Sequence, residues 1–137
     1  MADDPATALQ RGLVMALRRD PTVSALVGER VYDEPPSDVA FPYLRLGSID
    51  LGPLRSDGAK AWDVAFSIEA HSRPDAGRVE ASRIAGAVIA CLDERAEAVP
   101  VEGLSLRWVQ FVTSTAARAP DGKSYVAPAA FQAVLGT

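Results

Sequence analysis

From Trp62 to His71 the chain alternates strictly. Trp62, Val64, Phe66, Ile68 and Ala70 are apolar, and Asp63, Ala65, Ser67, Glu69 and His71 fall between them. A period of two places successive side chains on opposite faces of a strand. One face of this strand is therefore buried and the other is mostly polar, the pattern of an antiparallel sheet covered on one side. The chain is committed to building a layer over the Trp62 face.

Helical segments are spaced to supply that layer. Over Ala6–Arg19, Leu9, Leu13, Ala16 and Leu17 recur at i, i+4, i+7 and i+8, one apolar stripe. Pro5 suits the first turn, Arg18 and Arg19 suit the negative end of the helix dipole, and Asp20-Pro21 stops the helix. Pro21–Val27 predicts a further helical turn, with Val23, Leu26 and Val27 packing down and Gly28 ending it. Ser72 and Asp75 match a capping box for a longer helix running to about Arg95. Ala81, Ile84, Ala85, Val88, Ile89 and Leu92 form its inward stripe, and Asp75–Arg78 and Glu80–Arg83 are outward i, i+3 pairs.

The remaining segments read as strands and connectors. Arg30–Pro42 is a stiff, extended connector through Pro35, Pro36 and Pro42, pinned by Val31, Tyr32 and Phe41. Tyr43–Leu51 is a first strand, and Gly52–Lys60, with Gly52, Pro53, Ser56, Asp57 and Gly58, reads as the loop of a hairpin. Leu104–Thr115 is a third strand with a register break after Trp108, and Pro120-Asp121-Gly122 is a turn. Lys123–Leu135 is the last strand. No charged residue follows Lys123, so both faces of this strand are buried, by the fold or by another subunit. Pro128 lacks a ladder donor and predicts an edge or a bulge. The order is helix, helical turn, two strands, helix, two strands. It predicts a single α+β domain over 1–137, a four-stranded, mainly antiparallel sheet with helices packed on one face.

Composition then narrows function. A length of 137 residues buries one core without disulfide or metal staples. A net charge of −4 argues against a broad grip on nucleic-acid phosphates, though DNA is free to pass an acidic surface without sticking. The single cysteine, Cys91, forms no internal disulfide and fits a reducing cytoplasm. No secretion signal and no bilayer-length apolar run is read.

The search for chemistry returns little. His71, the one histidine, reads as a solvent-facing strand-end residue, and Cys91 as a small buried hydrophobe. Zinc requires about four N or S ligands, more than the chain offers. Asp3-Asp4 and Asp33-Glu34 lack EF-hand spacing, and no glycine-rich phosphate loop occurs. Trp62 and Trp108 read as core anchors, and Arg18-Arg19 as a solvated helix end. No catalytic, metal or cofactor residue is expected, and the chain does not read as an enzyme.

The residue text carries a resemblance. Asp20-Pro21-Thr22-Val23-Ser24-Ala25-Leu26-Val27-Gly28-Glu29-Arg30-Val31-Tyr32 resembles the start of the tail-completion, or tail-terminator, family of long-tailed phages and phage-like gene transfer agents. Phe41-Pro42-Tyr43-Leu44-Arg45-Leu46-Gly47, then Ala76-Gly77-Arg78-Val79-Glu80-Ala81 with Arg83-Ile84-Ala85, then Asp121-Gly122 leading to Tyr125 look like the same family. The likeness runs from about Ala8 to Val134.

The resemblance implies an α+β structural protein that forms a homo-hexameric ring on the head-proximal end of the tail tube. Such a ring stops tube growth and docks a head–tail connector or head-completion protein. Its partners would be further copies of itself, the major tail tube protein and the connector. DNA would only pass through the lumen, without sequence-specific binding, and no membrane is involved. Assembly would occur in the bacterial cytoplasm, ahead of incorporation into the particle. Another neck or head-completion role, or a protein-binding module outside the virion, are the competing readings. A ring needs a heterologous contact, and the uncharged strand offers Tyr125, Val126, Ala129 and Phe131 as candidate interface residues. Arg55, Asp57 and Lys60 in the hairpin loop are candidate tube contacts.

Overall fold

The computed structural model describes residues 4–56 and 59–137. Asp4 caps the first helix, α1 (Pro5–Arg19), by accepting from the Thr7 amide at 2.9 Å. Asp20 ends α1 and at once caps α2 (Pro21–Val27), its Oδ1 accepting from the Thr22 and Val23 amides at 3.0 Å. Gly28 closes α2 with φ +60, a conformation that glycine adopts without strain. Leu9, Leu13, Leu17, Val23 and Val27 are fully buried, as their spacing predicts.

The rest of the chain builds one open sheet of six strands rather than the four expected. Its elements are β1 (Val31–Tyr32), β2 (Tyr43–Ser56), β3 (Ala59–His71), β4 (Ser105–Ser114), β5 (Ala117–Arg118) and β6 (Tyr125–Gly136), with α3 (Arg78–Leu92) between β3 and β4. The order is β1-β2-β3-β6-β4, and β5 pairs β6 beyond the end of β4. The four long strands pair antiparallel, while β1, a two-residue piece of the expected connector, runs parallel to β2. The three helices lie on one face, where Leu44, Leu46, Phe66, Ile68, Phe131, Val109 and Leu135 meet Leu13, Ile84 and Val88 in the core.

Several local expectations are corrected. Gly52–Ser56 belong to β2, in register with Ala59–Asp63 of β3, and not to a loop. Pro53 is tolerated because β1 pairs only Leu44 and Arg45, leaving this part of β2 at the sheet edge among the described residues. The predicted capping box does not form. Ser72 is fully buried, and its Oγ accepts from the Tyr125 amide at 2.9 Å. α3 starts only at Arg78, after Gly77 with φ +86, and ends at Leu92. Glu80 turns back to Arg73, 2.6 Å from Nη2, instead of pairing with Arg83.

β6 is central, not an edge. Pro128 fits there because its carbonyl, accepting from Thr115 at 3.4 Å, faces the gap between β4 and β5. Backbone N and C=O of one strand residue point the same way, so the missing N–H also faces a place with no ladder partner. In β4 the register shifts between Leu106 and Trp108, one residue ahead of the expected break. Leu106, Val109 and Phe111 then face the helices, and Trp108 turns to the other side.

Candidate functional site

The helices cover one side of the sheet, and the other side lies open. Register defines its rows. Gly52, Asp63, Val134 and Trp108 align across β2, β3, β6 and β4, and Asp50, Ala65, Gln132 and Gln110 form the next row. These rows floor a shallow concavity of about 570 Å³. Asp50 and Asp63 stand exposed in it, and Trp108 is 43% exposed at its rim. The small residues Gly52 on β2 and Ala65 on β3 leave the concavity, and the indole on β4 supplies apolar area that the described residues leave partly uncovered.

Farther along this face, the ring of His71 stacks on Tyr43 with centroids 4.6 Å apart and planes 6° apart. His71 Nε2 lies 3.0 Å from Glu69 Oε1, which Arg45 also approaches at 3.4 Å. The histidine is thus a half-covered member of a polar cluster rather than a solvent-facing residue. Burial, partly opposed by the neighbouring Arg45, pushes the Tyr43 phenol above its ordinary value.

The edges of the sheet differ. The outer edge of β4 is closed by the end of α3: the Glu94 amide donates to Val109 O at 2.9 Å, and the Phe111 amide donates to Asp93 Oδ1 at 2.8 Å. These contacts occupy backbone groups that would otherwise recruit another strand.

The four predicted interface residues separate. Ala129 and Phe131 are 0% and 1% exposed, facing the chain's own helices, so they do not reach a neighbour. Phe131 instead stacks on Phe66 at 5.1 Å. Tyr125 is half-buried, with Arg78 at 5.4 Å and Arg118 at 5.2 Å from its ring centroid. Val126 is half-buried opposite His71. The alternation of β6 decides this, since Ala127, Ala129, Phe131, Ala133 and Leu135 face inward and Val126, Pro128, Ala130, Gln132 and Val134 face the open side. The absence of charge predicts burial on both faces, but only the inward face is buried: Gln132 on the other is exposed, and the period of two separates the faces.

Of the predicted tube contacts, Asp57 lies outside the described residues. Arg55 and Lys60 stand opposite each other at the end of the β2–β3 pair, and Lys60 is exposed. Trp108, expected in the core, belongs to the open face. The missed signal is its register: one extra residue, Arg107, in β4 inverts it.

Cys91 is buried and its Sγ donates to Ala16 O at 3.8 Å. Burial first, then the Asp20 carboxylate, pushes its thiol up to about 12, so it stays protonated and unreactive near neutrality. Among the described residues no three His, Cys, Asp or Glu side chains gather as metal ligands, and no helix is long and apolar enough to cross a membrane.

Comparison with known proteins places the chain among virion components. The family described as tail completion protein gp17 matches residues 11–136. Among solved structures, a chain of the virion of a native gene transfer agent particle superposes with a TM-score of 0.85 at 27% identity, covering 97% of this chain and 98% of that chain. No curated protein matches.

Proposed function

The chain belongs to the tail completion protein gp17 family, and from that membership we propose that it is the terminator of a phage-type tail. As a structural virion protein, it assembles as a homo-hexameric ring on the head-proximal end of the tube. The ring halts tube growth and presents a docking face to the head connector or head-completion protein, while DNA passes through its lumen. The likeness to a gene transfer agent virion chain over nearly the full length of both supports a place in a particle.

The observation that carries this reading is the two-sided character of the sheet. One face is sealed by helices, and the other keeps Trp108 exposed over a concave floor. A ring requires each subunit to offer two different surfaces, one to each neighbour. An uncovered sheet face that carries an exposed indole is a natural half of that contact. Tyr125 and Val126, at the start of β6, remain candidates for its margin, and the β2–β3 hairpin end with Arg55 and Lys60 for the tube contact. A net charge of −4 argues against a broad grip on the phosphates of passing DNA.

Imaging of particles after deletion of the gene in its native producer tests the assignment. Overlong, headless tubes are expected. Tails of normal length that fail to join heads would replace the terminator with a neck or head-completion role, and normal particles would refute both.

A further inference from the structure

On the side of the molecule away from the open sheet face, α1 exposes a surface of opposite character. Arg11, Met15 and Arg18 recur at i, i+4 and i+7, Arg19 lies beside them, and α1 contains no acidic residue. Met15 is 40% exposed in the middle of these arginines. Arg18 donates one N–H to the neutral carbonyl of Val31 at 2.8 Å, and among the described residues Glu29 and Glu102 lie at the two rims of this surface, against three arginines. The open face holds the complement. Asp50 and Asp63 make no ion pair among the described residues, and they lie across the concavity from an exposed Trp108, on the far side of β6.

We propose that the α1 surface of one subunit docks on the open sheet face of the next, with its arginines against Asp50 and Asp63 and Met15 against Trp108. This rests on the ring reading and names the contact that builds it. Three features support it. The patches match in charge, and opposed charges steer encounter and fix register. The methionine–indole pairing is favourable, since a polarizable thioether adapts to an aromatic edge. Finally, α1 turns its apolar stripe to the covered face of the sheet, so its basic surface and the open face point away from each other. That is the arrangement of a head-to-tail contact, which propagates into a closed ring when the rotation permits. Extension of the sheet from the middle of β4 is unavailable as an alternative, because Asp93 and Glu94 occupy that edge.

The test uses the full chain in its native producer. Asp50→Lys/Asp63→Lys inverts one face, Arg11→Glu/Arg19→Glu inverts the other, and a fourth strain carries all four changes. Each variant's thermal unfolding is compared with that of the unmodified protein. Either inversion alone is expected to cut the yield of head-joined particles by about tenfold or more, since like charges brought together across a contact are strongly unfavourable. The combined variant is expected to recover most of that yield. Separately, Met15→Cys/Gln132→Cys is expected to give disulfide-linked multimers of this chain in purified particles, and Val79→Cys/Gln132→Cys is expected not to. Wild-type yield from both single-face inversions overturns the contact. So does a combined variant that melts normally without recovery, or a cross-link from position 132 to another particle protein or to position 79. None of these results touches the deletion phenotype, which judges the terminator reading on its own.

Discussion

The Asp93 carboxylate accepts a hydrogen bond from the Phe111 amide at 2.8 Å, tying the residue after α3 to the outer edge of β4. Phe111 faces the core, packed edge-on to Phe131 at 6.0 Å. Its amide points the other way, to where a foreign strand would pair. The carboxylate therefore satisfies a donor and blocks an edge at once.

Asp93→Ala is expected to lower stability by about 1–3 kcal/mol, the cost of stranding a partly buried donor. Asp93→Asn, which keeps an acceptor oxygen, is expected to recover most of the loss. Urea unfolding measures both. Light scattering at rising concentration should show Asp93→Ala associating where the parent protein does not, and equal scattering would mean that the edge is protected by something else.

Ser72 and Tyr125 exchange two bonds: the Ser72 amide donates to Tyr125 O, and Ser72 Oγ accepts from the Tyr125 amide, both at 2.9 Å. These bonds join the end of β3 to the start of β6. Ser72→Ala leaves a buried amide unpaired and is expected to cost about 1–3 kcal/mol. Ser72→Thr retains the acceptor, though its added methyl must fit a fully enclosed site. If Ser72→Ala unfolded at the parental urea midpoint, this pairing would contribute nothing measurable.

Such features explain how much was legible in the sequence. The period of two in β3 and the stripes of α1 and α3 report burial directly, so the α+β class, the helices and the covered face were readable. Asp20-Pro21 and Gly28 act on their own neighbours, and their turns formed as read. What failed depended on partners distant in sequence. Ser72 looks like a helix cap until Tyr125, far along the chain, claims its oxygen. Gly52 and Pro53 look like loop residues until β3 pairs with them. The open face required the register of β4, which a single inserted residue reverses, so Trp108 could not be placed from its own segment.

Asp121 Oδ1 accepts from the Lys123 and Ser124 amides at 2.8 and 2.9 Å, and Oδ2 accepts from the Ser124 hydroxyl at 2.7 Å. The Ser124 and Lys123 amides, in that order, hold its carboxyl down at about 2, from an ordinary value of 3.8. A depressed value means that the unfolded chain takes up the proton first, so the contribution is present above 3.8 and is lost as pH falls from there through about 2. Asp121→Asn is expected to flatten that part of the stability–pH curve relative to the parent, by urea unfolding between pH 5 and 2 (roughly the carboxylate range). Parallel curves for the two proteins would show that the turn is held by other means.

Phe131 and Trp108 make the separation of core from assembly surface measurable. Phe131 is enclosed between Phe66 and Phe111, so truncation to alanine opens a cavity and is expected to cost about 3–5 kcal/mol. Trp108 lies on the open face with 43% of its surface exposed. Its truncation removes little contact within the subunit and is expected to change stability by under about 1 kcal/mol, near the range of surface substitutions. If the open face is the assembly surface, Trp108→Ala nevertheless sharply reduces head-joined particles while the purified protein melts normally. A loss of several kcal/mol from Trp108→Ala would instead make the indole part of the fold, and parental stability with parental particle yield would remove it from the contact.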